Sequence, residues 1–507
     1  MRPLILYAFV LCLVLLLVSC SVLSLSSDVK RSNEVKLTIL TSWKSNWEPW
    51  ASEPLQTVPV EGGGVAVIAR PDRRKLQIQC FSPMLGLVQD IPLKLEDDEE
   101  QPRLVNNHHR FFLFTETELD DDRIRIGMRR IDSGVTSFSP MQEILVSPED
   151  FEKGEFNYRY SPDSSRMFIF AFGEEFVSRE ASDFRKRYSH CPIAGAIVDL
   201  GTLEVDRWID TINYDGEIED DMAWKDAVIS NAGDPTIVEI VELKKTGYQF
   251  RVVALRAGKT QIAVQSYPRR ELKVGDDPLA PSQIKAGVLS NGDILAVTRN
   301  IDGKQLHSLE RIHVDHSTLK ADFNTIGRFD EAFVKKLTAN EEDELFRSCR
   351  LETLLVLEDD SYIPVLQWWY QSFITSRNYQ SYDKWYYKTI AVLHFNTDDL
   401  LKMVSSIDRD ESWTGDHVTL EAGFALHRDG TRLSFLTRER DKKGVMLYEI
   451  DLEEPDKPVM ATLIADLGDK AYLGLRYSAW SSAEEDLFLF VKEGGFGDDW
   501  QLVKVTP

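Results

Sequence analysis

What most constrains this chain is a rhythm. From Val35 onward, short apolar or alternating runs of four to eight residues are broken again and again by turn formers. Val65-Ala66-Val67-Ile68-Ala69 and Leu76-Gln77-Ile78-Gln79-Cys80 flank Pro71-Asp72-Arg73. Phe111 to Phe114, Arg123 to Ile126, Met167 to Phe170, Ala196 to Val198, Ile237 to Ile240 and Phe250 to Val253 follow the same plan. Such runs predict β-strands. Helical spacing is scarce. Asp330 to Phe346, with Phe333, Leu337 and Leu345, predicts a loop helix.

The strand candidates number about thirty, and a single sheet seldom exceeds ~10 strands. Radial repetition solves this by stacking small sheets around an axis and hiding their edges. The expectation is an all-β chain folded as a β-propeller of about seven four-stranded blades, with one or two short loop helices. Three segments echo one another: Ser161-Pro162-Asp163-Ser164-Ser165 before Arg166 to Phe170, Ser290-Asn291-Gly292-Asp293 before Ile294 to Val297, and His427-Arg428-Asp429-Gly430 before Thr431 to Phe435. Each is a turn followed by an apolar strand, and Asn-Gly and Asp-Gly supply the positive φ of tight hairpins. The Ser-Pro-Asp form resembles the turn between outer strands of TolB-like and WD40-like propeller blades.

The first segment is an address. Met1-Arg2 leads into an apolar run from Leu4 to Val18, then Leu17-Val18-Ser19-Cys20. A positive charge, an apolar core and small residues before a cleavage point make a secretory signal. The thiol at Cys20 resembles the bacterial lipobox, whose cysteine is diacylated and becomes the mature N-terminus. The divisions expected are a signal peptide at 1–19, a lipidated Cys20 with a polar tether at 20–34, and one propeller-like domain at 35–507. Ser21-Val22 after the cysteine favours the outer membrane over inner-membrane retention. The competing readings are an uncleaved signal anchor, since Leu4 to Leu23 is about one bilayer long, and a plain secretory signal.

Charge narrows the partners. The chain of 507 residues carries 59 Lys+Arg against 83 Asp+Glu, a formal charge of -24. That field repels polyanions, so nucleic acid is excluded as a partner. Attachment to a membrane falls to acyl chains, not to anionic headgroups. Of the five cysteines, Cys80, Cys191 and Cys349 lie beyond the leader and are far apart. They are expected as buried free thiols, and no Cys/His spacing suggests zinc.

From about Phe156 to Gly444 the order of features is familiar. It runs through the Ser-Pro-Asp strand, Ile197-Val198-Asp199-Leu200-Gly201-Thr202-Leu203 with Trp208, Leu289 to Val297, Glu358 to Leu366, Lys384 to Phe395, and Gly423 to His427. This resembles a group of uncharacterised secreted propeller-like proteins and lipoproteins of Bacteroidetes-type bacteria. Those relatives carry a Gly-Gly turn where this chain has Asp359-Asp360-Ser361. The resemblance implies a fold and a compartment, and brings no catalytic residues.

The strongest local anomaly is Trp368 to Tyr387. Trp368, Trp369, Tyr370, Phe373, Tyr379, Tyr382, Trp385, Tyr386 and Tyr387 are interleaved with Gln, Ser, Asn and Arg. That composition suits an adaptable recognition surface, and flat rings stack on sugars. The alternative is a long hairpin whose rings pack on the body. Trp43, Trp47 and Trp50 form a second cluster, read as core packing by an N-terminal strand that completes the last blade. Glu96 to Glu100 and Asp120 to Asp122 read as solvated loops, and His108-His109 as a turn. Asp215, Glu217, Glu219 and Asp221 have the oxygen density of a calcium site without its D-x-D-x-D-G alternation. His313 and His316, three apart at a strand end, point to opposite faces and do not suggest a shared metal. No cofactor is implied. The chain lacks G-x-S-x-G, H-E-x-x-H, P-loop and G-x-G-x-x-G motifs. The favoured function is an exported, lipid-anchored binding or scaffold module for a protein or glycan partner in the cell envelope. The alternative is a propeller hydrolase or lyase acting on an envelope or extracellular polysaccharide.

Overall fold

The computed structural model describes Thr41–Lys44 and, with breaks, residues 53–505. The breaks of six residues or more fall at 45–52, 256–261, 330–336, 338–348, 415–423 and 493–499. Among the described residues, 36 strands form eight antiparallel sheets. The chain is an eight-bladed propeller, one blade more than expected. Blades 1 to 7 occupy 53–93, 99–146, 157–213, 218–268, 272–328, 349–414 and 424–466. Blade 8 combines 472–505 with Thr41–Lys44. The shortfall in the expected count arises from too small a strand total, about thirty against the 36 described. The expected loop helix lies outside the described residues except for Leu337, which is buried in a core cluster.

Closure of the ring can be read from the core. There are eight hydrophobic clusters, and each lies between consecutive blades. Val65, Val67 and Ala69 of blade 1 pack with Phe488 and Phe490 of blade 8. Ala66 and Ile68, alternating with them, pack with Leu104 and Leu113 of blade 2. The second strand of each blade is therefore buried on both faces, which is why most of them appear as unbroken apolar runs; Glu239 in blade 4 and Ser434 in blade 7 are the buried polar interruptions. Phe168 and Phe170 likewise face blade 4, while Met167, Ile169 and Ala171 face blade 2.

The last blade is completed by the N-terminal strand. Thr41 to Lys44 pair with Lys504 to Gln501 as its outermost strand, with Trp43 opposite Leu502. Trp47 and Trp50 lie outside the described residues.

Innermost strands are stitched to each other by side chains. Gln56 of blade 1 holds Leu104 of blade 2 at both backbone groups, each at 2.7 Å. Asp226 of blade 4 accepts Arg159 of blade 3 at 3.0 Å and the Ala286 N–H of blade 5 at 2.9 Å. Gln283 of blade 5 accepts the Leu351 N–H of blade 6 at 2.8 Å. Gln56 and Gln283 both sit at register shifts in their strands. A bulge frees one residue from the ladder and re-aims it; in blade 5 that residue is Gln283, turned onto the next blade, while in blade 1 it is Leu55 and Gln56 follows it in register. Cys191 and Cys349 are buried and Cys80 is half-buried, all as free thiols.

Candidate functional site

In a meandering blade, the turns between first and second strands and between third and fourth strands emerge on one side of the ring. Second-to-third connections and links between blades emerge on the other. The first side is built from tight turns braced by short polar side chains. Asp199 Oδ1 accepts the Gly201 and Thr202 N–H groups at 2.9 and 2.8 Å. Asp315 Oδ1 does the same for Ser317 and Thr318 at 2.9 and 2.8 Å. Leu203 and Leu319 close these turns with φ of 65° and 59°. The shared pattern Asp-x-Gly/Ser-Thr-Leu marks the third-to-fourth turn of blades 3 and 5, a repeat not singled out in the sequence reading. The Thr202 N–H pulls the Asp199 carboxyl below its ordinary range, and the Ser317 hydroxyl does so for Asp315.

The three echoing segments are turns between first and second strands, at the innermost part of the blades and not between outer strands. The Asp359-Asp360-Ser361 departure also has a physical use. Asp360 takes the left-handed φ of 61° that a glycine would adopt freely. Its carboxylate accepts the Ser290 N–H and Oγ–H, each at 2.6 Å, tying blade 6 to blade 5.

Between these turns opens a cavity of about 960 Å³, contributed mainly by blades 4, 5 and 6. Ser230, Asn231, Asn291, His316, Glu358 and Arg428 are among its polar lining. The carboxylates in the turns around it that depart from their ordinary range all move down, as at Asp293 and Asp359. A general acid would need the opposite shift.

Two histidines converge here in a way the strand alternation did not predict. His313 Nε2 and His316 Nδ1 lie 3.0 and 2.9 Å from the two oxygens of Asp293. His316 is in the turn and not on the strand, so the opposite-face rule does not reach it. Their common partner is the carboxylate. Among the described residues no group of three or more His, Cys, Asp or Glu is placed to hold a metal ion.

On the opposite side the connections grow. In blade 6 the strands Tyr362–Thr375 and Ser381–Phe395 continue past a register shift at Gln367/Trp369. Beyond it Trp369 faces Tyr387 across the ladder, Tyr370 faces Tyr386, Gln371 faces Trp385 and Ile374 faces Tyr382. A third strand, Glu411–Thr414, adds itself alongside and sets Trp413 opposite Trp385. This strand lies outside the aromatic window that the sequence draws attention to. Blade 3 grows on the same side, through the short strand Phe176–Glu180 paired to the start of Asp183–Asp199.

The predicted aromatic residues thus divide. Trp368 is fully buried in the core between blades 5 and 6. Trp369, Tyr370, Phe373, Tyr382, Trp385 and Tyr386 lie on the extended ladder, and Tyr379 lies outside the described residues. Tyr387, the next aromatic along, is buried with the Arg409 guanidinium 5.7 Å from its ring centre. Three of the four calcium candidates can be placed. Glu217 is engaged by Lys244 at 2.8 Å and by Arg187 at 3.5 Å, while Asp215 and Glu219 are exposed. The side chain of Asp221 is outside the described set. One solvated-loop expectation is corrected: Glu99 begins the inner strand of blade 2, buried against Arg129 at 2.7 Å. Asp120 to Asp122 and His108-His109 lie outside the described residues.

One charged cluster is wholly interior. Arg251 and Glu239 of blade 4 pair at 3.2 Å, with side chains 3% and 0% exposed. Tyr214 donates to Glu239 at 3.1 Å, and the Arg251 guanidinium lies 4.1 Å from the Tyr214 ring centre. Nearby, Lys225 Nζ approaches Cys191 Sγ at 3.4 Å. Burial pushes the Cys191 thiol up against the pull of Lys225, so it stays a protonated, poorly nucleophilic group. The cluster joins blade 3 to blade 4.

No family model and no curated protein matches this chain. Among solved structures it is similar to the Hadza microbial sialidase Hz136, at 9% identity over 78% of this chain and 73% of that one, with a TM-score of 0.30. It is similar to the β-propeller domain of the Trilobed protease from Pyrococcus furiosus, at 9% identity over 80% and 94% of the chains and a TM-score of 0.35. It is also similar to a puromycin-hydrolyzing peptidase of Mycobacterium tuberculosis, at 10% identity over 90% of this chain and 61% of that one, with a TM-score of 0.37. This chain therefore spans just under two thirds of the peptidase's length. The propeller assignment rests on the eight sheets and the eight cores that join them.

Proposed function

We propose that this chain is an exported, lipid-anchored propeller that serves as a binding or scaffold module for a protein or glycan partner in the cell envelope, with the outer membrane favoured. The leader and Leu17-Val18-Ser19-Cys20 support the export and the lipid. The observation that carries the binding reading is the three-stranded extension of blade 6. A rigid scaffold with one elaborated connection is how binding residues are commonly displayed. The extension brings Tyr370, Tyr386, Trp385 and Trp413 into neighbouring register positions. Aromatic residues interleaved with Gln, Ser and Asn offer large contact area at low entropic cost.

The test is a chain with Trp369, Trp385 and Trp413 changed to Ala, compared with the unchanged chain in a pull-down from native envelope and on immobilised glycans. The expected outcome is loss of the captured partner with an unchanged melting temperature. Retained capture, or a collapse of the melting temperature, would reject the binding role.

A further inference from the structure

Thr41, where the described chain enters the ring, pairs with Lys504 near the end of its strand. That end of blade 8 lies on the side of the tight turns. Blade 1 adjoins it, and its third-to-fourth turn is unusually apolar. Within this turn the Leu85 N–H donates to Ser82 O at 2.9 Å, and the Ser82 N–H to Gly86 O at 2.9 Å. Ser82 Oγ accepts the Gly86 N–H at 3.1 Å. Leu85, at a φ of 56°, is buried in the cluster shared by blades 1 and 8. The turn is thereby pinned, yet Met84 in it and Leu87 and Val88 at the start of the outer strand that follows are 69%, 45% and 71% exposed. Three of the ten large exposed hydrophobics among the described residues fall in these five positions.

Two more continue the same arc. Leu400 is 64% exposed in the corresponding turn of blade 6, and Met460 is 38% exposed at that of blade 7. Blades 6, 7 and 1 thus each place exposed apolar side chains on the side where the chain enters, with the largest group in blade 1. Cys20 precedes Thr41 by only 21 residues. Lys402 and Lys457 offset Asp398 and Glu454 beside the arc, so what disfavours an anionic surface is the chain's formal charge of -24.

We infer that this arc rests on the lipid surface that holds the anchor, with Met84, Leu87 and Val88 seated among uncharged headgroups and the blade 6 extension pointing away from the membrane. Pinned apolar residues add to the affinity of a single lipid attachment at little ordering cost. This orientation rests on the anchored reading above. It adds which face meets the bilayer.

The experiment uses the full chain purified from envelopes and reconstituted into phosphatidylcholine vesicles that contain a photoactivatable phosphatidylcholine. Cross-linked peptides are mapped, and the acyl mass on Cys20 is read in the same digest. The expected adducts concentrate at 84–88, with weaker ones at Leu400 and Met460. Met84→Ser, Leu87→Ser and Val88→Ser together lower the yield at the turn severalfold with the melting temperature unchanged, and replacing half the lipid by phosphatidylglycerol lowers it too. Adducts spread evenly, adducts concentrated at 369–387, or an undiminished yield in the triple variant would overturn the orientation. Acylated Cys20 with a silent turn removes the contact and leaves the anchor. Unmodified Cys20 with adducts at the turn removes the anchor and leaves the contact.

Discussion

At one side of the ring the chain reverses in tight turns, and an Asp or Asn side chain braces several of them: Asp199, Asp315 and Asn396 each accept two backbone N–H groups. At the other side blade 6 runs on into a three-stranded extension and blade 3 acquires an additional strand. The two sides are ends of the same strands, so propensity and packing within the blade cannot explain the contrast. On the tight side the turns of neighbouring blades touch one another directly, as Ser290 does Asp360. The open side also has contacts between blades, such as Tyr214 with Glu239 and Arg269 with Glu310, yet the second-to-third connections of blades 3 and 6 leave the core there and can be lengthened without disturbing it.

The strand Tyr362–Thr375 crosses from one regime to the other, so it is where the contrast can be broken most sharply. Trp368 is fully buried among residues of blades 5 and 6. Truncation to Ala is expected to cost about 3–5 kcal/mol, the range for a large aromatic removed from a packed core. Trp385→Ala, on the extension, is expected to cost below about 1 kcal/mol. Denaturant midpoints of the two variants measure the gap. Equal losses would show that the extension is part of the core and would remove the case for a displayed surface.

The same strand shows how much of the molecule was legible in the sequence. Apolar runs mark the second strands, unbroken at Val65 to Ala69, Phe111 to Phe114, Met167 to Ala171, Ile294 to Val297 and Leu487 to Phe490, and interrupted by Glu239 in blade 4 and Ser434 in blade 7. Each is buried on both faces, and one occurs per blade. Dividing a strand total by four does not give the blade number, because blades differ in strand number. The all-β class was legible from local pattern, and the closing N-terminal strand from the way a circular fold completes its last blade. Trp368 was not separable from Trp369, because neighbouring aromatics in one window carry no mark of the register shift between Gln367 and Trp369. The convergence of His313, His316 and Asp293 was hidden for a related reason. It depends on where a strand stops.

Asp293 sharpens the account of the tight side. It accepts the His316 N–H at 3.0 Å and Asn291 Nδ2 at 2.8 Å, and faces both histidine rings. Burial would raise its carboxyl, but these partners outweigh it and hold the group below its ordinary range. Its stabilising contribution is therefore complete above the unfolded value of about 3.9 and is lost as pH falls through the folded value. Asp293→Ala is expected to cost about 1–3 kcal/mol at neutral pH, as for a buried charge-assisted hydrogen-bond set. Denaturation at pH 7 and pH 3 checks this, with the gap between variant and parent narrowing at pH 3. A gap of equal size at both would mean that the turn is held by shape alone.

The smallest effect belongs to His394, which meets the first turn of blade 6 from the third strand. Its Nε2 lies 3.1 Å from Ser361 Oγ, and Ser361 Oγ donates to Asp359 Oδ1 at 2.5 Å. Because the single hydroxyl proton goes to Asp359, His394 must carry its proton on Nε2 to donate in turn. Nδ1 is then buried without a partner, and protonating it would strand a charged donor. Burial, with Lys402 adding to it against Asp359, accordingly holds this imidazole below its ordinary value. A depressed folded value means stability is fully present above the unfolded value of about 6.5 and falls as pH drops toward the folded one. His394→Gln keeps a donor for Ser361 and removes the titration, so the melting temperature should flatten between pH 6.5 and pH 5 relative to the parent. The blade 6 extension carries no part of this hydrogen-bond chain, and changes confined to Trp369 or Trp385 should leave the slope intact. An unchanged slope in His394→Gln would place the acid sensitivity elsewhere in the ring.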